Sequence, residues 1–114
     1  MLSMRSTTTA VLERKAKVRT SFTTEPYELP WAGEARFFVH ALEFDGDDTS
    51  LEFITQISPD GLHWCDLDDV RHRVDSVGVT SWLVTGFGQW LRLSCRVTGP
   101  EPAATVRIYL VGKS

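Results

Sequence analysis

The sequence is poor in cysteine, in long hydrophobic runs and in helical periodicity. Its two cysteines, Cys65 and Cys95, are too few for the dense disulfide framework of many small secreted proteins. No hydrophobic run approaches the roughly 20 residues of a membrane-spanning helix. The apolar residues 10–12 are followed at once by Glu13, so no secretory signal is indicated. We therefore expect a cytoplasmic protein or a component of an assembled particle, without membrane insertion, whose thiols are reduced unless the two cysteines form a disulfide.

The composition is that of one small globular domain. Hydrophobic residues make up 42% of the 114 residues and charged residues 24%, which excludes an intrinsically disordered chain. A chain of this length closes a single core and has no room for a second domain of ordinary size.

The net charge of −3 hides a strong separation of charges along the chain. Residues 1–20 carry five Lys or Arg residues and one Glu, whereas residues 43–69 carry nine acidic residues and no Lys or Arg. Residues 70–114 are again basic, with six Lys or Arg residues against two acidic ones. Such complementary segments favour a contact between proteins, in which charge sets the register.

Alternation of apolar and polar residues is the dominant pattern. It runs through residues 36–44, 51–57, 90–97 and 105–110, which are rich in β-branched and aromatic residues. Clusters of Gly, Pro, Asp and Ser separate these segments and are typical of turns. We predict an all-β protein, a single antiparallel β-sandwich of the jelly-roll type with seven or eight strands.

The N-terminal segment differs from the rest of the chain. Residues 1–19 are basic and Thr-rich, and we predict that they form an arm that precedes a sandwich domain over residues 20–114. Residues 9–19 fit either a short helix or a strand, and the alternation that continues to Phe22 favours the strand.

The last two predicted strands can be aligned as a hairpin. If their loop centres on residues 100–101, Arg92 lies opposite Tyr109 and Ser94 lies opposite Arg107. The polar face of this hairpin would then present Trp90, Arg92, Arg107 and Tyr109 together.

One short string is recognisable. Ser58-Pro59-Asp60-Gly61-Leu62-His63-Trp64 resembles the Ser-x-Asp-Gly-x-x-Trp hairpin of discoidin-like (galactose-binding-like) β-sandwich modules, and residues 88–93 resemble a strand that follows it there. The resemblance implies a sandwich fold and carries over no binding residue. In the hairpin we expect Asp60 and Gly61 to form the turn and Trp64 to fill the core behind it.

No metal or other cofactor is expected. Asp45, Asp47 and Asp48, like the acidic residues of segment 66–69, could supply oxygen ligands for calcium, but neither segment has the EF-hand order, and solvated loops explain both. A zinc site from His40, His63, His72 and Cys65 lacks the closed ligand spacing of structural zinc.

Catalysis and nucleic-acid binding are also disfavoured. The sequence has no Gly-x-Ser-x-Gly elbow and no phosphate-binding glycine loop before a helix, so we expect no enzyme. The chain is acidic overall, which argues against a nucleic-acid partner.

Two binding functions remain. In the first, the protein is a structural module that self-associates or docks onto a larger bacterial or phage assembly. Its contacts would come from the arm and the sheet face, through Arg14, Lys15, Lys17, Arg19, Trp90, Arg92, Arg107 and Tyr109. In the alternative, it is a carbohydrate-binding module in which Trp31, Trp82 or Trp90 stacks on a sugar ring.

Overall fold

The computed structural model describes residues 6–114, which form antiparallel β-strands and contain no helix. The ten strands are β1 (Thr7–Val18), β2 (Phe22–Thr23), β3 (Tyr27–Glu28), β4 (Glu34–Phe44), β5 (Ser50–Ser58), β6 (Cys65–Asp66), β7 (His72–Val74), β8 (Gly78–Val84), β9 (Trp90–Thr98) and β10 (Ala104–Lys113). The predicted all-β class is confirmed. Within the described residues, no helix is long and apolar enough to cross a membrane.

The strands form two sheets. The four-stranded sheet has the order β1-β10-β4-β8, and the six-stranded sheet has the order β2-β9-β5-β6, with β3 also paired to β9 and β7 to β5. Every pairing between these strands is antiparallel.

The core lies between the two sheets. Alternate residues of β4, such as Phe37 and Val39, point inward from the four-stranded sheet and are fully buried. Phe53 and Leu91 point inward from the six-stranded sheet and are equally buried. Trp82 joins the two layers, because its ring centroid lies 5.9 Å from that of Phe37 and 6.0 Å from that of Phe53. Burial of these side chains is the main force that holds the sheets together.

The predicted strand count of seven or eight is wrong, because two positions in the six-stranded sheet are each divided into two short strands. Between β2 and β3, the Thr24 hydroxyl accepts the Leu93 N–H, and Pro26 has no N–H to donate to a ladder. Between β6 and β7, the chain leaves β5 after Leu67, whose N–H donates to the carbonyl of Thr55. Breaks of this kind depend on tertiary hydrogen bonds that alternation does not reveal.

Most of the predicted arm lies along its own sheet. Strand β1 pairs with β10 from Thr7 to Val18, with register shifts between Val11 and Glu13 and between Glu13 and Ala16. The strand interpretation of residues 9–19 is therefore confirmed up to Val18. Residues 1–5 lie outside the described residues, and an arm that reaches a neighbouring subunit remains a prediction.

The predicted hairpin between the last two strands is wrong. Strand β9 pairs with β5 in one sheet, and β10 pairs with β1 and β4 in the other. The segment between them crosses from sheet to sheet because it is bound to the loop after β4: the carbonyl of Ala103 accepts the N–H groups of Asp45 and Gly46. The Thr49 hydroxyl also accepts the N–H of Ala103. Trp90 and Arg92 therefore do not share a sheet with Arg107 and Tyr109.

Candidate functional site

The outer surface of the four-stranded sheet carries apolar side chains from all four strands. Since Phe37, Val39, Val106, Ile108 and Trp82 point into the core, their neighbours along each strand point outward. We call this surface the outer A face; its apolar members are Val11, Phe38, Val79, Leu83, Tyr109 and Val111.

The register places these side chains in rows across the sheet. Tyr109 lies between Val11 of β1 and Phe38 of β4. In the next row, Val111 lies opposite Arg36, which in turn lies opposite Leu83. Val79 is 63% exposed, Leu83 52% and Val11 45%, so these apolar side chains at the two edges of the face are open to solvent. Exposed apolar side chains that share one face of a sheet make that face a candidate for association.

Cationic groups stand among these apolar side chains. Arg36 Nη1 donates to Ser81 Oγ over 3.1 Å. Arg107 Nε donates to the carbonyl of Arg14 over 3.0 Å, which ties β10 to the irregular part of β1. Arg and aromatic residues are the types most enriched in protein interfaces. The outer A face therefore combines apolar side chains, aromatic rings and guanidinium groups, which are the types enriched in protein interfaces.

Trp90 and Arg92 lie on the opposite side of the molecule, on the outside of the six-stranded sheet. The guanidinium carbon of Arg92 lies 4.3 Å from the ring centroid of Trp64, and its Nε donates to Gln56 Oε1 over 2.7 Å. Desolvation lowers the pKa of Arg92 from its usual value. Trp90 packs against Gly61, where an added Cβ would lie 3.1 Å from its ring. Both side chains are thus engaged by their own chain.

The basic residues of the N-terminal segment are partly neutralised within the chain. Lys17 Nζ lies 2.9 Å from Asp45 Oδ2, and this hydrogen bond is the main reason that the pKa of Asp45 is lowered. The pKa of Glu43 is raised, first by its side-chain hydrogen bond to Asp45. Arg19 lines an open cleft of about 750 Å³ beside Asp45 and Asp47. Arg14 and Lys15 are exposed on β1. The opposite charges noted in the sequence therefore meet, in part, inside one molecule.

The turn after β5 is organised by Asp60. Its Oδ1 accepts the backbone N–H groups of Leu62 and His63, each over 2.8 Å, and Oδ2 lies 2.6 Å from His63 Nδ1. The Ser58 hydroxyl accepts the N–H of Gly61, which adopts a φ of 77° that favours glycine. Asp60 and Gly61 thus form the turn, as their positions in the motif suggest.

The prediction that Trp64 fills the core is wrong. Its side chain is half-buried on the outside of the six-stranded sheet, beneath Arg92. The tryptophan of the core is Trp82, which is 7% exposed, donates from Nε1 to Thr55 Oγ1 and stacks on His72 at 3.9 Å. Trp64 directly precedes Cys65, which pairs with Ile57, and the alternation of side chains then places the Trp64 ring outward.

The hydrogen bonds of Asp60 predict an acid-sensitive turn. The pKa of Asp60 is held well below its ordinary value, first by the hydrogen bond to the His63 ring and then by the two backbone N–H groups. A depressed carboxyl pKa contributes stability that is complete above the unfolded pKa of about 4 and is lost as the pH falls through the folded pKa. We expect Asp60→Asn to be less stable than the wild type at pH 6, with a difference that shrinks below about pH 4.

Urea unfolding between pH 6 and pH 2, followed by circular dichroism, measures this difference. Asp69→Asn is the matched control, since it makes the same change in net charge at an exposed position nearby. A constant difference between Asp60→Asn and wild type over this pH range would refute the linkage.

No metal centre is evident in the part of the chain that the structure describes. Residues 6–114 contain no group of three or more His, Cys, Asp or Glu side chains that could hold a metal ion. Asp45, the first of the candidate calcium ligands, is bound to Lys17. Both cysteines are free thiols; Cys65 is exposed, while burial raises the pKa of Cys95 to about 12.

The three tryptophans considered for sugar binding lie in different environments. Trp82 is buried and cannot stack on a ligand, which corrects one of the three candidates. Trp90 is half-buried against Gly61, and Trp31 is 41% exposed. The structure therefore does not favour the carbohydrate alternative.

Sequence reasoning found Arg107 and Tyr109 of the outer A face but missed Val11, Phe38, Val79 and Leu83. One signal could have located Phe38. It stands between Phe37 and Val39, and three consecutive apolar residues in an alternating strand place at least one on the outward face.

The fold is similar to solved structures that share little sequence with this chain. The crystal structure of the SPBc2 prophage-derived protein YomS matches with a TM-score of 0.57 and 8% identity, over 100% of this chain and 98% of that chain. The Yersinia pseudotuberculosis-derived mitogen YPM matches with a TM-score of 0.43 and 12% identity, over 99% of this chain and 86% of that chain. No family model matches the sequence, and the comparison with curated proteins finds no match. At these identities, the likeness to YomS shows the fold alone.

Proposed function

We propose that this protein is a non-enzymatic structural module that associates with copies of itself in a phage or bacterial particle. The observation that carries the proposal is the outer A face, where Val11, Tyr109, Phe38 and Leu83 present apolar surface across four strands. The fold likeness to a prophage-derived protein supports the phage setting.

The strand arrangement supports the jelly-roll part of this proposal. Strands β2 and β3 both pair with β9, and β6 and β7 both pair with β5. Each sheet thus has four strand positions, and the chain crosses between the sheets repeatedly. Double sheets of this kind are common in virus capsid proteins and in lectins, and the apolar outer A face favours the first role.

The mass of the protein in solution tests the proposal. We expect light scattering at high concentration to give a mass above that of one chain, and we expect Phe38→Glu to lower it. A charge in the middle of the outer A face must be desolvated when that face is covered. The matched control is Ile54→Glu, which places the same charge at a half-buried, outward position of the six-stranded sheet and should leave the mass unchanged.

A single-chain mass for the wild type at every concentration would overturn self-association. An unchanged mass for Phe38→Glu would show that the outer A face is not the contact. Circular dichroism of both variants establishes that each remains folded.

A further inference from the structure

Strand β8 is an unprotected edge of the four-stranded sheet. It pairs with β4 on one side over all seven residues from Gly78 to Val84, without a register shift, and it is the last strand of the sheet order. It contains no charged residue and no proline. Its other side therefore presents backbone donors and acceptors to solvent in a regular row, which is a template for another strand.

The other sheet edges of the described chain are protected. Strand β1, at the opposite edge of the same sheet, has two register shifts and carries Glu13, Arg14, Lys15 and Lys17. The edges of the six-stranded sheet are strands of two or three residues. Charges, bulges and short strands are the usual devices against edge pairing. Among residues 6–114, β8 alone has none of them.

The side chains of β8 are complementary to those of a second copy. Ser81 is the middle residue of the strand, with Val79 and Leu83 two positions away on either side and on the same outward face. In an antiparallel pair centred on Ser81, Val79 of each copy lies opposite Leu83 of the other. The two side chains that are 63% and 52% exposed would then cover each other.

We propose that β8 pairs with β8 of a second copy across a two-fold axis at Ser81, so that two four-stranded sheets become one sheet of eight strands. This inference deepens the proposed function and rests on it, since it names the partner and the contact. The pairing is isologous, with the same residues on both sides. It also joins the outer A faces of the two copies into one continuous surface, because the β8 strands lie side by side.

Charges at position 81 test the pairing, because this residue lies opposite itself across the two-fold axis. In the Val11→Glu background, which places a charge on the outer A face at the strand farthest from β8, we expect a two-copy species. Adding Ser81→Lys or Ser81→Glu should raise its dissociation constant at least about tenfold, since like charges directly opposite one another repel. An equimolar mixture of the Lys and Glu variants should restore the two-copy species. Sedimentation velocity measures all four samples.

A covalent test does not depend on charge. The Cys65→Ser background removes the exposed thiol. In this background, Ser81→Cys should give a disulfide-linked two-copy product under mild oxidation, because opposite residues of paired strands lie within reach of a disulfide. Thr9→Cys in the same background is the control, since Thr9 is exposed on the other edge strand of the same sheet. If Ser81→Cys gives no more of the linked product than Thr9→Cys does, the pairing is overturned.

The outcomes separate the two proposals. A wild-type protein that is a single chain at all concentrations overturns both. A wild-type oligomer that becomes a single chain on Val11→Glu alone, or a two-copy species insensitive to residue 81, overturns the β8 pairing and leaves self-association standing. Failure of the mixed Lys and Glu variants to associate overturns the register centred on Ser81.

Discussion

Replacing Trp82 by Ala should destabilise the fold by about 3–5 kcal/mol. The side chain is 7% exposed and lies between Phe37 of one sheet and Phe53 of the other. Its loss would leave a cavity between the layers, and it would remove the donor that satisfies the buried Thr55 hydroxyl. Chemical unfolding followed by far-ultraviolet circular dichroism measures the change in the free energy of unfolding. In thermal unfolding, we expect the Tm to fall by roughly 15 °C or more.

Trp64→Ala is the control for this substitution. It removes the same side chain from the outside of the six-stranded sheet, where the main loss is the contact with the Arg92 guanidinium. Such contacts at partly exposed sites are worth about 0.5–1 kcal/mol. Equal effects of the two substitutions would contradict the assignment of Trp82, rather than Trp64, to the core.

Gly46→Ala should destabilise the protein by about 1–3 kcal/mol, because it overpacks the crossing between the two sheets. An added Cβ would overlap the carbonyl oxygen of Glu101 and would lie 2.8 Å from the backbone nitrogen of Ala103. Both contacts are with backbone, which cannot move without breaking the hydrogen bonds that Asp45 and Gly46 donate to Ala103.

Gly33→Ala is the matched glycine substitution, since an added Cβ there meets nothing within 4 Å. Its stability should stay within about 0.5 kcal/mol of the wild type. Urea midpoints of the two variants, measured side by side, give the comparison. Equal midpoints would mean that the 99–103 crossing tolerates the extra methyl group.

The sequence predicted the faces of the strands better than their partners. The alternation in residues 90–97 and 105–110 puts Leu93 and Ile108 on the core side of their strands, and both are buried. Alternation indicates which face of a strand is buried, however, and does not indicate which sheet the strand joins. The segment 99–103 reads as a hairpin turn, yet Ala103 is held by residues more than fifty positions earlier.

The candidate site was predictable only in part, for the same reason. Arg107 and Tyr109 were found because they stand out on one strand, but a sheet surface is a property of four strands at once. Val11 and Phe38 become neighbours of Tyr109, and Leu83 joins the same face, only through the order β1-β10-β4-β8. Trp64 was misplaced because a tryptophan after a turn suits either side of a sheet, and its contact with Arg92 involves a residue from another strand.

The position of β10 affects how the protein can be made. This strand comes last among the ten, yet it lies between β1 and β4 inside its sheet. Until residues 104–113 have been synthesised, β1 has no partner in this sheet, and β4 can pair only with β8. Because pairing of distant segments is slow, the sheet should close only after residues 104–113 have been synthesised. A chain that stops before residue 104 should therefore leave β1 without a partner in this sheet and should be cleaved by proteases faster than the full sequence.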